Sequence, residues 1–178
     1  MTGRSNRWLA WLACGMAVGL VLGIAVHRIL PGVPVQATAT EGFDNFAIAT
    51  GLADGQVEAV YFLDYLTGEL RCAVVNPKTG NFNAYFSYNV AADFAKAGAG
   101  GAGAKYLMVT GLADLPVPRG GGNNQLGKSI VYIAEANSGV VAAYTIQWNP
   151  SMLHAGRTQQ GTFRLLDIKP FRTTAIRD

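Results

Sequence analysis

Residues 58–75 read Glu-Ala-Val-Tyr-Phe-Leu-Asp-Tyr-Leu-Thr-Gly-Glu-Leu-Arg-Cys-Ala-Val-Val, and this stretch decides the fold class. Glu58–Leu63 and Leu70–Val75 are rich in β-branched and aromatic residues, which suit a pleated surface. Leu66-Thr67-Gly68 between them is turn chemistry, with glycine free to take positive φ. A connection this short forces the two strands to pair antiparallel. In Ala59–Leu63 neither alternate set is polar. A sheet with one wet face would alternate, so this strand is expected to be covered on both sides. Ile130–Ala134 and Val140–Ile146 have the same character.

Working outward, the chain repeats itself. Ala49-Thr50-Gly51-Leu52-Ala53-Asp54 recurs as Val109-Thr110-Gly111-Leu112-Ala113-Asp114, and Val60–Asp64 as Val131–Glu135. Gly68 matches Gly139, Asn76-Pro77 matches Asn149-Pro150, and Gly80-Asn81-Phe82 matches Gly161-Thr162-Phe163. The matches keep one order, with insertions in the second copy at Leu115–Gln125 and around Ser151–Gln160. Four strands are predicted per copy. They are Phe46–Thr50, Glu58–Leu63, Leu70–Val75 and Asn81–Tyr88, then Lys105–Thr110, Ser129–Ala134, Val140–Trp148 and Thr162–Ile168. Between the copies, Val90–Ala97 is a short helix capped by Asn89, and Gly98–Ala104 a flexible connector.

The fold class is therefore an all-β domain of two repeated four-stranded antiparallel meanders. Sequence leaves two closures open: sandwich-like or barrel-like packing within one chain, or blade-like packing in a propeller shared between chains. Val60–Leu70 resembles the blade core of quinoprotein-type β-propellers, which reads V-Y-x-L-D-x-x-T-G-x-L, although the closing tryptophan is absent after Leu70. The whole chain also resembles membrane-anchored proteins of planctomycete bacteria, a resemblance that supplies no activity.

Ahead of the repeats, Trp8–Val26 holds 19 residues without a charge, close to the length that crosses a ~30 Å hydrocarbon core. Trp8 and Trp11 sit at its edge, where indole rings favour the headgroup zone. Arg4 and Arg7 precede it and Arg28 follows, which places the N-terminus in the cytoplasm and the rest outside. The expected order is a cytoplasmic stretch 1–7, a signal anchor 8–30, a linker 31–40, a first meander 41–88, a connector 89–104 and a second meander with tail 105–178. Ala37-Thr38-Ala39 offers a signal-peptidase site as the alternative. The long apolar run argues against cleavage there. Gly15, Gly19 and Gly23 share one helix face and form the candidate helix-packing strip of a homo-oligomer.

Composition removes several function classes. Charged residues make up 14% of the chain against roughly 25% in an average soluble domain. From Glu41 onward bases and acids balance at 11 each, so the sequence pI of about 9.0 reports the flanks of the apolar segment. No nucleic-acid partner is expected. Within 151–178, Arg157, Arg164, Lys169, Arg172 and Arg177 outnumber Asp167 and Asp178, a local surplus suited to an acidic partner. Cys14 and Cys72 lie too far apart in the predicted layout to pair.

Gly122–Ser129 fits the phosphate-loop pattern GxxxxGK[ST] letter for letter. That chemistry needs a helix directly after the loop, and Ser129–Ile133 is strand-like. His154 stands alone in the outer domain, with no set of metal-ligand spacings around it. Asp64, Asp114 and Asp167 sit at predicted strand ends as turn formers. Tyr61, Tyr85, Phe86, Tyr88, Tyr132 and Tyr144 fall on strands, where packing is the default and sugar or peptide binding the alternative if they line a groove. No catalytic residue, cofactor or metal is assigned. The sequence reads as a single-pass cell-membrane protein with an extracytoplasmic structural or interaction module of the cell envelope. Its candidate partners are the bilayer, a second copy, and an envelope protein or glycan. A glycan- or peptide-binding domain is the alternative, ahead of an enzyme or nucleotide binder.

Overall fold

A computed structural model describes residues 11–12, 14–17, 40–42, 44–101, 103–116 and 124–172. The chain divides into two compact units, Met1–Ala37 and Thr38–Asp178. In the first, Trp11, Leu12 and residues 14–17 are helical. Among the described residues no helix is long and apolar enough to cross a membrane. Most of Trp8–Val26, with Gly19 and Gly23, lies outside the described residues, as do 31–39 and the greater part of the 115–125 insertion.

Among the described residues the second unit holds ten strands. They are β1 (Thr40–Gly42), β2 (Phe46–Asp54), β3 (Val57–Asp64), β4 (Glu69–Val75), β5 (Phe82–Asn89), β6 (Tyr106–Leu112), β7 (Gln125–Leu126), β8 (Ser129–Glu135), β9 (Val140–Trp148) and β10 (Gln159–Pro170). Two short helices, α1 (Ala91–Lys96) and α2 (Pro150–His154), complete it. All eight predicted strands are present; the N-cap of α1 is Val90, without a side-chain cap bond, and the predicted cap Asn89 stands one residue earlier, its Oδ1 accepting from the Ala91 N–H at 3.0 Å. His154 ends α2 rather than lying in a loop.

Turn chemistry sets the meanders. At the β3–β4 corner the Asp64 carboxylate accepts from the Leu66 and Thr67 N–H groups at 2.8 and 3.2 Å. Gly68 then takes φ +67°, where a Cβ would strike Ala91. At the β8–β9 corner Glu135 has the same role, accepting from Asn137 and Ser138, before Gly139 at φ +71°.

The two meanders do not stand as separate blades. They fuse into one continuous sheet in the order β1-β2-β3-β4-β5-β10-β9-β8-β6, with β7 paired to β9. Every ladder is antiparallel except β5–β10, where Gln159–Thr162 runs parallel to Ala84–Ser87. At the other end β6 returns to β2, and β1 lies against both. The Thr110 hydroxyl donates to the Thr50 carbonyl at 2.6 Å and the Lys128 N–H to the Ala53 carbonyl at 3.1 Å. The result is a nearly closed, barrel-like sheet. Its closure rests on small inward residues of β2, namely Ala47, Ala49, Gly51 and Ala53. A methyl group at Gly51 would collide with the Ser129 hydroxyl.

The parallel seam has a geometric consequence. Corresponding strands of the two copies meet at both seams, so the copies face each other in the same strand order. The motif face that points outward in the first copy must then point inward in the second. Burial follows this rule. Tyr61 and Leu63 are buried while Val60 and Phe62 are half-buried outside. Their counterparts reverse: Val131 and Ile133 are buried, and Tyr132 is exposed. Leu70 points in where Val141 points out, and Arg71 points out where Ala142 points in.

The interior is filled by Tyr61, Leu63, Leu70, Phe86, Ile133, Tyr144, Ile146, Trp148 and Phe163, all at most 2% exposed. Burying each large apolar side chain contributes roughly 1.5–3 kcal/mol. Helix α1 covers one end, with the Phe94 ring 5.4 Å from Tyr106 and Asp93 facing the interior.

Candidate functional site

Outward residues of β3, β4, β5 and β10 enclose a hollow of about 420 Å³. The register brings them together: Phe62 opposes Arg71, which opposes Ser87. One row along, Val60, Ala73, Tyr85 and Gln160 oppose one another in sequence. Phe62 stacks on Phe46 with ring centroids 5.0 Å apart and forms an aromatic wall. Tyr85 faces it, held by a hydrogen bond from its hydroxyl to the Phe82 carbonyl at 3.2 Å. Ala73 leaves the floor low between them.

Charge enters on one side. Arg71 Nη2 lies 2.7 Å from Glu69 Oε2. The hydrogen bond from Arg71 holds the Glu69 carboxyl below its ordinary pKa, and the Glu69 carboxylate raises that of Arg71. Both side chains reach solvent, so the pair adds little stability and stays free to exchange hydrogen bonds. Fork donors and carboxylate acceptors beside aromatic faces can bind a ring with apolar C–H faces and equatorial hydroxyls.

A second hollow, about 1020 Å³, opens beside α1. Asp44, Tyr65, Leu66, Thr67, Lys105, Tyr106 and Leu107 line it, with glycines and alanines for the rest.

The predicted site residues scatter. Gly15 lies in the helical piece with open space around its Cα, while Gly19 and Gly23 lie outside the described residues. Lys128 pairs with Asp114 at 3.5 Å, and the segment after it is β8, so no helix N-terminus faces that loop. Among the described residues no three His, Cys, Asp or Glu side chains converge as metal ligands. Burial pushes the Cys72 thiol far up, which leaves it unreactive. Of the six aromatics, Tyr61, Phe86 and Tyr144 fill the interior, Tyr88 reaches Asp93, and Tyr85 and Tyr132 face outward. Tyr85 lines the outer hollow with its exposed ring, and the buried Phe86 borders it. Phe62 and Arg71 escape sequence reading because their partnership depends on cross-strand register. No family model, curated protein or solved structure matches the chain.

Proposed function

We propose that this chain is a membrane-anchored, non-catalytic binding module of the cell envelope, with the outer hollow as the seat of a glycan. The observation that carries the reading is the Phe46–Phe62 stack beside the Arg71–Glu69 pair on one sheet face. A sugar ring laid on Phe62 gains apolar contact through its C–H face, while Arg71, Glu69 and Gln160 exchange hydrogen bonds with its hydroxyls. The uncharged segment Trp8–Val26 supplies the anchor and places this face outside the cytoplasm.

Glycan-array binding by the detergent-solubilised full chain tests it. Envelope-type polysaccharides should bind, and Phe62→Ala and Arg71→Ala should each reduce affinity at least about tenfold, the ~1.4 kcal/mol that one good contact supplies. Binding that survives both substitutions would remove the hollow from consideration.

A further inference from the structure

We infer that the outer face of β6, β8 and β9 docks flat on an anionic lipid bilayer, an inference that rests on the anchored reading above. Its outward residues are Leu107 and Val109 on β6, Tyr132 and Ala134 on β8, and Val141 and Ala143 on β9. No charge interrupts this wall. Leu107 is 63% exposed, Val109 53% and Tyr132 37%. An apolar wall this continuous on the outside of a small domain marks a contact surface.

Two observations choose the lipid. The first is where the chain arrives. β1 lies against β6, and only residues 27–39 separate Thr40 from the end of the uncharged segment at Val26. Thirteen residues reach at most about 45 Å, within which an anchored chain can bring this side of the barrel to the bilayer. The second is the charge around the wall. Lys105 precedes β6 at one end, and Lys128 precedes β8 at the other. Arg164 and Lys169 on β10 oppose Thr145 and Val141 of β9 and border the third side. Lys128 and Lys169 have Asp114 and Asp167 beside them at 3.5 and 3.7 Å. Among the described residues Lys105 and Arg164 stand in no ion pair. An apolar centre whose rim leaves Lys105 and Arg164 outside ion pairs, with Asp44 near the β1 edge and Asp167 opposite Ala143, matches acyl chains beneath anionic headgroups, and an amphipathic Tyr132 suits the boundary. A second copy would bring the same cations against each other. Arg164 and Lys169, two of the five bases in 151–178, thereby acquire a partner.

The test uses the full chain in phosphatidylcholine–phosphatidylglycerol vesicles. Cys14→Ser leaves the buried Cys72 as the native thiol. An environment-sensitive fluorophore is then placed through Val109→Cys or, on the outer face of β5, Ser87→Cys. Brominated lipid should quench the label at 109 severalfold more than at 87, and Arg164→Glu with Lys169→Glu should abolish the difference. Equal quenching at both positions overturns the inference. So does a label at 109 that is shielded without quenching while Val109→Cys forms a disulfide with a second copy. Alkaline extraction of the same vesicles reports the anchor separately. A chain that resists extraction with 109 exposed to water keeps the anchor and loses the docking face.

Discussion

Gly51 and Ser129 illustrate how single atoms hold the barrel shut. A Cβ at 51 would press on the Ser129 side chain and on the Tyr61 ring, so β2 can lie this close only with glycine there. The Tyr61 and Ser129 hydroxyls are buried neighbours, and the Cys72 thiol also lies beside Tyr61. Gly51→Ala should cost about 1–3 kcal/mol in urea denaturation, the usual penalty for overpacking. Ser129→Ala should cost about 1 kcal/mol, because it takes a neighbouring hydroxyl from the buried Tyr61. The double variant should be more stable than the two effects added, since the alanine at 51 then meets no hydroxyl. Glu135 tests the corner chemistry. Burial pulls its pKa up, but the Ser138 hydroxyl and the Ser138, Asn137 and Lys105 N–H groups outweigh burial and hold it below its ordinary value. A depressed carboxyl stabilises the fold above its unfolded pKa, near ~4.3, and that contribution is lost as pH falls through the folded value. Glu135→Gln should therefore lower stability by about 1–2 kcal/mol at pH 7, with the gap to the native chain closing below pH ~4. A gap that is constant across pH would show that shape, not charge, holds the corner.

At the scale of elements, one carboxylate adds a polar tie between α1 and the barrel to the packing of Phe94. Asp93 Oδ2 accepts from the Tyr88 hydroxyl at 2.9 Å and from the Tyr144 hydroxyl at 3.3 Å. The carboxylate raises both tyrosine pKa values, together with burial, which is the larger cause at Tyr144. Asp93→Ala leaves two hydroxyls without their acceptor at the barrel end and should cost about 2–3 kcal/mol, with Tyr88→Phe costing about 1 kcal/mol. Hydrogen exchange should find Phe94–Ala97 released first. This element divides what sequence reveals from what it hides. Its existence and the Asn89–Ala91 bond ahead of it follow from local residues, because such a carboxamide acts two residues away. Its anchor to Tyr144 spans 51 positions and depends on how the sheet closes. The strands were legible for the same local reason, through Gly68, Gly80 and Gly139 at their corners. The Phe62–Arg71–Ser87 row that builds the outer hollow was not, since a shift of one residue in either ladder would disperse it.

For the molecule as a whole, the two seams decide the shape. The β5–β10 seam is a true parallel ladder, extended by the Thr162 hydroxyl bonding to the Ser87 carbonyl at 3.0 Å. The β2–β6 seam is closed by single contacts such as the Thr110–Thr50 bond, and β7 adds a tie to β2 through Gln125 Nε2 and Asp54 Oδ2 at 2.9 Å. Thr110→Val keeps the volume and removes the donor, so it should cost about 1 kcal/mol and raise amide exchange along β6 while leaving β5 and β10 protected. Uniform loss of protection would mean that the barrel opens only as a unit. Neither seam was readable in advance, because a pairing between strand edges of different copies has no local signature; two meanders fit a sandwich, a propeller or this barrel equally well. The reversal of faces between the copies reaches beyond stability, to the history of the gene. A tandem duplication of residues 46–89, left unedited, would present Tyr61 and Leu63 to the interior once and to water the second time. Divergence of the second copy, with Ala134 at the place of Leu63 and Ala142 at that of Arg71, is then a condition for closing the sheet rather than drift after it. A synthetic gene encoding the first meander twice should accordingly give an aggregating product, and exchanging the alternate residues of its second half should restore a monodisperse one.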